Sequence, residues 1–262
     1  MNAAASNPLL EMIAMTSTPQ TNTAALPAIP YLTREISFQL PDGSSIQLEL
    51  LENLNGTIDQ VFEILEKEGR PELLEVLCPY FGVVWPSARA LTEVLSRGQF
   101  IAPGMRTLEV GCGLAIPALT LARNGIPVEA TDYHPEVPRF LERNRLLNEI
   151  PEQFLRYHTL DWAQDPQALA SFLANAGPFD RVIGSDILYE AKHAELVPEV
   201  LTKLLHPRTG RALIADPARP YLQNFVDAMK RKGFEARTEI VTAEDLPVSK
   251  EIFVVEFFRA SI

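Results

Sequence analysis

The 262-residue sequence contains only two cysteines, Cys78 and Cys112, which lie far apart in the chain. Two cysteines at such a spacing form neither a disulfide framework nor a zinc-binding pattern, so we expect no metal site. The first basic residue is Arg34, and the charged region of a secretory signal peptide is therefore missing. No apolar run approaches the roughly 20 residues of a membrane-spanning helix. These absences predict a cytoplasmic protein that has no membrane partner.

Basic residues are also scarce relative to acidic ones. The chain has 23 lysines and arginines against 34 aspartates and glutamates, which gives a formal net charge of −11. Such an acidic surface disfavours sequence-independent binding of nucleic acid, and we predict no nucleic-acid partner. It suits a basic or lysine-presenting protein partner, although a small-molecule substrate remains equally compatible with the charge.

The pattern of the chain predicts three parts. Residues 1–28 are rich in Ala, Ser, Thr, Asn and Pro, and we interpret them as a disordered tail. Residues 29–79 contain two alternating runs around the Asp42-Gly43 turn, which predict a β-hairpin. A helix opened by Thr57 as a capping box with Gln60, and a short helix from Pro71, follow the hairpin. Residues 80–262 form the main domain.

From Thr107 onward, short apolar runs alternate with amphipathic segments. This alternation is typical of an α/β fold, in which helices cover both faces of a parallel sheet. The last two runs have no full helix between them, so we expect them to pair as a hairpin. The predicted strands are 107–111, 128–132, 155–160, 181–186, 211–215, 235–242 and 251–259, and the predicted helices are 116–124, 136–147, 166–175, 192–205 and 220–232.

A glycine loop follows the first of these strands. Gly111 and Gly113 flank Cys112, and glycines at such a turn allow a ligand to lie against the backbone. The dinucleotide fingerprint would require a third glycine at position 116, where this chain has Ile116. Glu109, at the end of the strand, would repel a pyrophosphate and attract an ammonium. The loop therefore points to S-adenosylmethionine (SAM), which has an ammonium and no phosphate.

Acidic residues stand at the ends of the following strands as well. Ligands of open α/β sheets bind beyond the carboxyl ends of the strands. Asp132 is placed to accept hydrogen bonds from ribose hydroxyls, and Asp161 with Trp162 is placed to bind adenine. Each aspartate has an alternative role as the cap of the helix that follows it. Asp186 and Asp216 end the next two strands, where a cap or a structural ion pair is the alternative.

Several motifs together resemble a class I, seven-stranded SAM-dependent methyltransferase. Within that fold the chain is similar to the family that holds many protein-lysine methyltransferases, over about residues 80–260. The Asn-Pro-Pro-Tyr motif of amide and adenine N-methyltransferases is absent. The resemblance is carried by Trp85-Pro86, residues 108–119, residues 130–137, Asp161-Trp162, the Asp-x-x-Tyr motif of Asp186–Tyr189, and the Asp-Pro-x-Arg motif within residues 214–219.

The resemblance implies a Rossmann-like mixed sheet of order 3-2-1-4-5-7-6, with helices on both faces and the N-terminal hairpin and helices added. It also implies a bound SAM cofactor, with Asp186 where methyl group and acceptor meet and Tyr189 beside the acceptor. We therefore predict Asp186 and Tyr189 as catalytic residues. The predicted cofactor contacts are Trp85, Glu109, Gly111, Cys112, Gly113, Asp132, Tyr133, Asp161, Trp162 and Ser185.

Three functions are compatible with these residues. The first is an N-methyltransferase that acts on a lysine of a protein, and the second is a small-molecule methyltransferase on the same fold. The third is a SAM-binding or interacting protein without catalysis. The acidic residues Glu109, Asp132 and Asp186 argue against the third.

Overall fold

The computed structural model describes residues 26–162, 166–243 and 250–260. The predicted disordered tail, 1–28, lies outside these residues except for its last three positions. The chain divides into two compact units, Met1–Pro30 and Tyr31–Ile262, and the fold described below belongs to the second. Within the described residues, no helix is both long enough and apolar enough to cross a membrane.

The centre of the fold is a seven-stranded sheet in the order β5-β4-β3-β6-β7-β9-β8. The first five strands of the chain's main domain are parallel, whereas β9 runs antiparallel to both β7 and β8. Counted from β3, the order is 3-2-1-4-5-7-6, so the predicted fold class is confirmed. The strands are β3 (Thr107–Val110), β4 (Val128–Asp132), β5 (Leu155–Thr159), β6 (Arg181–Ser185), β7 (Arg211–Asp216), β8 (Glu235–Ala243) and β9 (Lys250–Phe258).

Helices cover both faces of this sheet, and each face has its own hydrophobic core. One core joins α3, α4 and α5 to the sheet through residues such as Leu91, Leu119 and Phe140, and the other joins α6, α7 and α8 through Phe172, Leu201 and Phe225. The helices are α3 (Pro86–Ser96), α4 (Ile116–Arg123), α5 (Val137–Leu147), α6 (Pro166–Ala176), α7 (His193–Leu204) and α8 (Leu222–Arg231). This two-sided burial leaves the carboxyl ends of the parallel strands as the place for a ligand.

The N-terminal hairpin shares the first of these cores. Strands β1 (Thr33–Gln39) and β2 (Ser45–Leu51) pair antiparallel around the predicted Asp42-Gly43 turn. The buried Phe38, Ile46 and Leu48 belong to the same cluster as the side chains of α3, α4 and α5. The hairpin therefore shares its hydrophobic core with the main domain. The predicted domain boundary between residues 79 and 80 stays a prediction.

The helix after the hairpin begins earlier than the sequence predicts. Helix α1 spans Leu54–Lys67 and is capped by Asn53, whose side chain accepts a hydrogen bond from the Gly56 amide. The Thr57 hydroxyl bonds to the Asn53 carbonyl within the first turn, so the predicted capping box at Thr57 is wrong. After the short 3-10 turn Pro71–Leu73, helix α2 covers Leu74–Leu77, which confirms the predicted helix from Pro71.

Asn144 of α5 and Asn148, the C-cap residue of that helix, bind the free edge of the hairpin. Asn144 accepts from the Glu49 amide (2.6 Å) and donates to the Glu49 carbonyl (3.2 Å). Asn148, one helical turn later, makes the same pair of bonds to Gln47 (2.8 and 2.7 Å). Edge strands expose unpaired backbone groups, and the two amide side chains satisfy those groups as another strand would.

We expect Asn144→Ala to lower the free energy of unfolding by about 1–3 kcal/mol, because it leaves partly buried backbone groups of Glu49 without this partner. Chemical denaturation of the variant and the parent protein measures the difference. Asn175→Ala is the matched control, since Asn175 is exposed and its side chain donates to the Ser171 carbonyl within its own helix. Equal destabilisation by both substitutions would contradict the edge-pairing role.

Candidate active site

A cavity of about 440 Å³ opens at the carboxyl ends of β3, β4 and β6. Its size lies within the range of sites for small ligands and cofactors. The wall contains most of the predicted site residues, namely Trp85, Gly111, Cys112, Gly113, Asp132, Tyr133, Trp162, Ser185, Asp186 and Tyr189.

The glycine loop forms one side of the cavity. Gly111 and Gly113 have φ angles of +60° and +50°, a conformation that side chains rarely adopt. A Cβ atom at Gly111 would lie 2.9 Å from Ile187 Cγ2, and one at Gly113 would lie 3.0 Å from the Phe81 carbonyl oxygen. Both positions thus require glycine for backbone and packing reasons alike.

Asp132 fixes the loop from the end of β4. Its Oδ2 accepts from the Gly113 amide at 2.9 Å, and its Oδ1 accepts from the His134 amide at 3.0 Å. Helix α5 is capped at Glu136, so the alternative in which Asp132 caps that helix is wrong. Burial raises the pKa of the Asp132 carboxyl, while the backbone hydrogen bonds act in the opposite direction. The carboxylate thus both shapes the loop and lines the cavity.

Glu109 lies under the loop, and the described cavity wall does not include it. The residue is 1% exposed, and its Oε2 accepts from the Ala118 amide at the start of α4 (2.9 Å). Burial raises the pKa of this carboxyl to about 8, so that it is mostly protonated at neutral pH. The predicted direct ion pair with a ligand ammonium is therefore corrected to a supporting position beneath the loop.

Most of the other predicted cofactor contacts lie in the described cavity wall, and Asp161 does not. Trp85 is the N-cap residue of α3, is partly exposed in the wall, and donates its indole N–H to the Tyr80 carbonyl (2.9 Å). The Tyr133 hydroxyl donates to the Glu75 carbonyl (3.2 Å), and burial raises the pKa of the Cys112 thiol. Asp161 is missing from the described wall although Trp162 belongs to it, so the contact of Asp161 with adenine stays a prediction.

An aromatic cluster that the sequence analysis missed supports Trp162. The His193 ring packs edge-on against Trp162 (centroids 5.6 Å apart) and against Tyr189 (4.5 Å). Burial lowers the pKa of His193, which favours the neutral ring. Burial also raises the pKa of the Tyr189 hydroxyl. Tyr189 precedes α7, whereas His193 is the first residue of that helix. The spacing of four residues was the available signal.

Asp186 occupies the end of β6, with its backbone in the left-handed region (φ +58°). Its Oδ2 accepts from the Ser87 amide (3.2 Å) in the first turn of α3. Helix α7 begins with Lys192 as its N-cap, so the alternative that Asp186 caps the helix after Tyr189 is wrong. A helix N-terminus stabilises a nearby negative charge, and Asp186 is only 9% exposed.

Arg219 and Asp216 complete this side of the cavity. Arg219 Nη2 lies 2.7 Å from Asp186 Oδ1, and Arg219 Nη1 lies 3.0 Å from Asp216 Oδ2. The sequence analysis considered Asp216 and Arg219 only as a cap or a structural ion pair. The structure shows that the ion pair exists and that it includes Asp186.

No group of three or more His, Cys, Asp or Glu side chains is arranged to hold a metal ion within residues 26–162, 166–243 and 250–260. Among the described residues of the wall, Arg219 is the one arginine or lysine, against the carboxyls of Asp132, Asp186 and Glu190. Burial lowers the pKa of His134, also in the wall, to about 4. The charge of the cavity therefore suits a cationic ligand.

We expect Glu109→Gln to remove part of the pH dependence of stability. The folded-state pKa of Glu109 is raised from 4.5 to about 8, so the folded protein binds a proton that the unfolded chain releases. Stability then falls by about 1.4 kcal/mol for each pH unit as the pH rises through this window. Denaturation of the ligand-free protein at several pH values measures the slope. Identical slopes for the parent and the glutamine variant would contradict a protonated Glu109.

Comparison with known proteins assigns the chain to a family. Residues 80–232, more than half of the chain, match the sequence profile of a family described as lysine methyltransferase. The electron transfer flavoprotein beta subunit lysine methyltransferase of Xenopus laevis is 28% identical over 57% of this chain and 57% of its own length. The histone-arginine methyltransferase METTL23 of Xenopus laevis is 32% identical over 52% and 60%, and protein-lysine N-methyltransferase rrg1 of Schizosaccharomyces pombe is 29% identical over 58% and 52%.

Solved structures agree on the fold. Magnesium protoporphyrin IX methyltransferase (ChlM) from Synechocystis PCC 6803, solved with bound SAM, has a TM-score of 0.52 at 17% identity and covers 78% of this chain and 97% of its own. Precorrin-6y C5,15-methyltransferase from Geobacter metallireducens has a TM-score of 0.50 at 11% identity, over 64% and 87%. The chain spans little more than half the length of its curated relatives. By its sequence, the chain belongs to the lysine methyltransferase family.

Proposed function

We propose that the protein is a SAM-dependent N-methyltransferase that methylates a lysine side chain of a protein. The observation that carries the proposal is the buried Asp186 carboxylate in the wall of an acidic cavity, beyond the switch point of the sheet. Family membership supports methyl transfer, and an anionic group at this place supports a cationic acceptor.

The cofactor is proposed to occupy the side of the cavity formed by the glycine loop. Asp132 accepts from the ribose hydroxyls with the lone pairs that its two backbone hydrogen bonds leave free, since a carboxylate has about four acceptor sites. Trp162 and Trp85 provide aromatic surface for the adenine and the methionine portion, and Asp161 keeps its predicted adenine contact. The backbone at Gly111, Cys112 and Gly113 lies against the cofactor, with Tyr133 and Ser185 at its margins.

The acceptor is proposed to meet the methyl group at Asp186, with Tyr189 beside it. The lysine ammonium pairs with the Asp186 carboxylate and loses a proton to solvent, because its ordinary pKa of about 10.4 leaves it protonated at neutral pH. The free amine nitrogen then attacks the methyl carbon. A nitrogen–carbon bond forms as the carbon–sulfur bond breaks, and the bonding pair stays on sulfur to give S-adenosylhomocysteine (SAH). Alignment of the reacting atoms supplies much of the rate enhancement.

The names of the relatives suggest two possible acceptor residues in a protein, lysine and arginine. Two of the relatives above are named for lysine, and METTL23 is named for arginine. We favour lysine because the matched family is described as lysine methyltransferase. A small-molecule acceptor is the alternative function. We also propose that the protein works in the cytoplasm without binding nucleic acid, and that residues 29–79 form an addition to the methyltransferase domain of 80–262.

Asp132→Ala should weaken SAH binding by about 1.5–3 kcal/mol, the scale of hydrogen bonds to a charged group. The substitution removes the ribose acceptor and frees the Gly113 and His134 amides. Asp132→Asn, which keeps one acceptor oxygen at the same place, should lose less. Calorimetric titration and a melting curve on the same samples separate affinity from folding. Reduced stability with unchanged affinity would restrict Asp132 to a structural role.

Incubation with methyl-labelled SAM and a cell lysate should put label into protein, and amino-acid analysis should recover it as methyllysine. Asp186→Asn should reduce the labelling by about 10²–10³, the usual effect of losing one preorganised electrostatic contact. SAH affinity of that variant should stay near the parent value, because Asp132 and the glycine loop are unchanged.

The other possible outcomes would change or reject parts of the proposal. Label in methylarginine would move the acceptor to arginine, and label confined to small molecules would favour the alternative. Undiminished labelling by the asparagine variant would remove Asp186 from the reaction. Failure of the parent protein to bind SAH would reject the cofactor assignment itself.

A further inference from the structure

We propose that Arg219 is a positioning residue that keeps Asp186 ionised and oriented to receive the cation of the acceptor. The proposal rests on the proposed function, because Asp186 matters only if it meets the acceptor. The geometry that carries it is an alternating arrangement of Asp186, Arg219 and Asp216, in which the guanidinium lies between Asp186 in the cavity wall and the fully buried Asp216.

Arg219 is held in place by Asp216. Asp216 Oδ1 accepts from the Arg219 backbone amide at 2.7 Å, while Oδ2 pairs with Nη1 at 3.0 Å. The bond to the backbone fixes the turn, in which Ala218 adopts a left-handed φ of +58°. Asp216 itself is fully buried at the end of β7. One carboxylate therefore anchors both the main chain and the side chain of Arg219, and Nη2 of the same guanidinium lies 2.7 Å from Asp186 Oδ1.

Asp186 is then bound from two sides without being saturated. Ser87 donates to Oδ2, and Arg219 Nη2 lies 2.7 Å from Oδ1. An ionised carboxylate has about four lone-pair sites, so these two contacts do not exhaust its capacity to accept a further cation. The acceptor thus has no need to displace Arg219, and the two fixed contacts hold the carboxylate in one rotamer.

The charge of the group matches a cation. The three side chains of Asp186, Arg219 and Asp216 together carry one net negative charge when both carboxyls are ionised. A lysine ammonium neutralises that charge, whereas a neutral acceptor would leave it without compensation. Burial of an unpaired charge is costly, so the arrangement discriminates between acceptors by their charge.

Burial alone would favour the protonated form of Asp186. It raises the pKa of that carboxyl, and Arg219 together with Ser87 acts in the opposite direction. Asp216 is the other titratable group that faces Arg219, and its pKa is also raised by burial and lowered by the arginine. A protonated Asp186 could not pair with an ammonium. Removal of the guanidinium should therefore raise the pKa of the Asp186 carboxyl. As the pH falls, activity should then be lost at a higher pH than in the parent protein.

The test is the titration of Asp186 itself. We would label the protein with ¹³C-aspartate, saturate it with SAH, and follow the carboxyl resonance that Asp186→Asn removes. Arg219→Gln should raise the pKa of this carboxyl by about 1–3 units, the range of an opposite charge within contact distance. Arg219→Met is a second neutral variant that keeps the aliphatic stem, and melting curves confirm which variants are folded. An unchanged Asp186 pKa in a folded neutral variant would overturn the proposal.

Arg219→Lys separates charge from packing. It retains a cation beside Asp186, so the Asp186 pKa should stay closer to the parent value than in the neutral variants. A rise as large as that in Arg219→Gln would contradict the proposal. With the methylated acceptor in hand, the acid limb of kcat/KM should move to higher pH in Arg219→Gln, because this profile reports ionisation of the free enzyme. The titration requires no acceptor, so it fails or succeeds independently of the labelling experiment.

Discussion

The buried carboxylate of Asp186 is the constraint on which the proposed acceptor side of the cavity depends. It links three elements that are distant in sequence: the end of β6, the first turn of α3 through Ser87, and the turn after β7 through Arg219. An ionised carboxylate at 9% exposure requires such partners. The helix N-terminus and the guanidinium supply them, and their directions determine where the remaining lone pairs are available.

On the proposed cofactor side of the cavity, backbone amides are the hydrogen-bond donors to the buried carboxyl groups, in place of a guanidinium. Asp132 binds the Gly113 and His134 amides, and Glu109 binds the Ala118 amide from below the loop. Three of the four non-glycine residues with a left-handed backbone in the described part of the chain lie here: Ala115 in the loop, and Asp186 and Ala218 after neighbouring strands. Such conformations persist only where surrounding contacts enforce them, and they cluster at functional sites. Both halves of the cavity are thus built from acidic side chains that hold strained turns.

Much of this arrangement was accessible from sequence because it depends on local pattern. The alternation of strands and helices predicted the sheet, and acids at strand ends predicted the site. The sequence analysis misplaced Glu109, because a carboxyl at a strand end can point into the cavity or beneath the loop, and only packing decides. It missed Ser87 and the link from Arg219 to Asp186, since these contacts join residues about 99 and 33 positions apart. Asn53 was overlooked as a helix cap because Gly56 in the first turn is a poor helix former.

In the function proposed above, one cavity holds the cofactor against Asp132 and presents its reactive end to Asp186. A crystal structure of the full chain with SAH tests it most directly. The account predicts the ribose hydroxyls within hydrogen-bond distance of Asp132, the adenine beside Trp162, and the sulfur facing Asp186 with Arg219 still paired to it. SAH bound outside this cavity, or with its sulfur turned away from Asp186, would contradict the account.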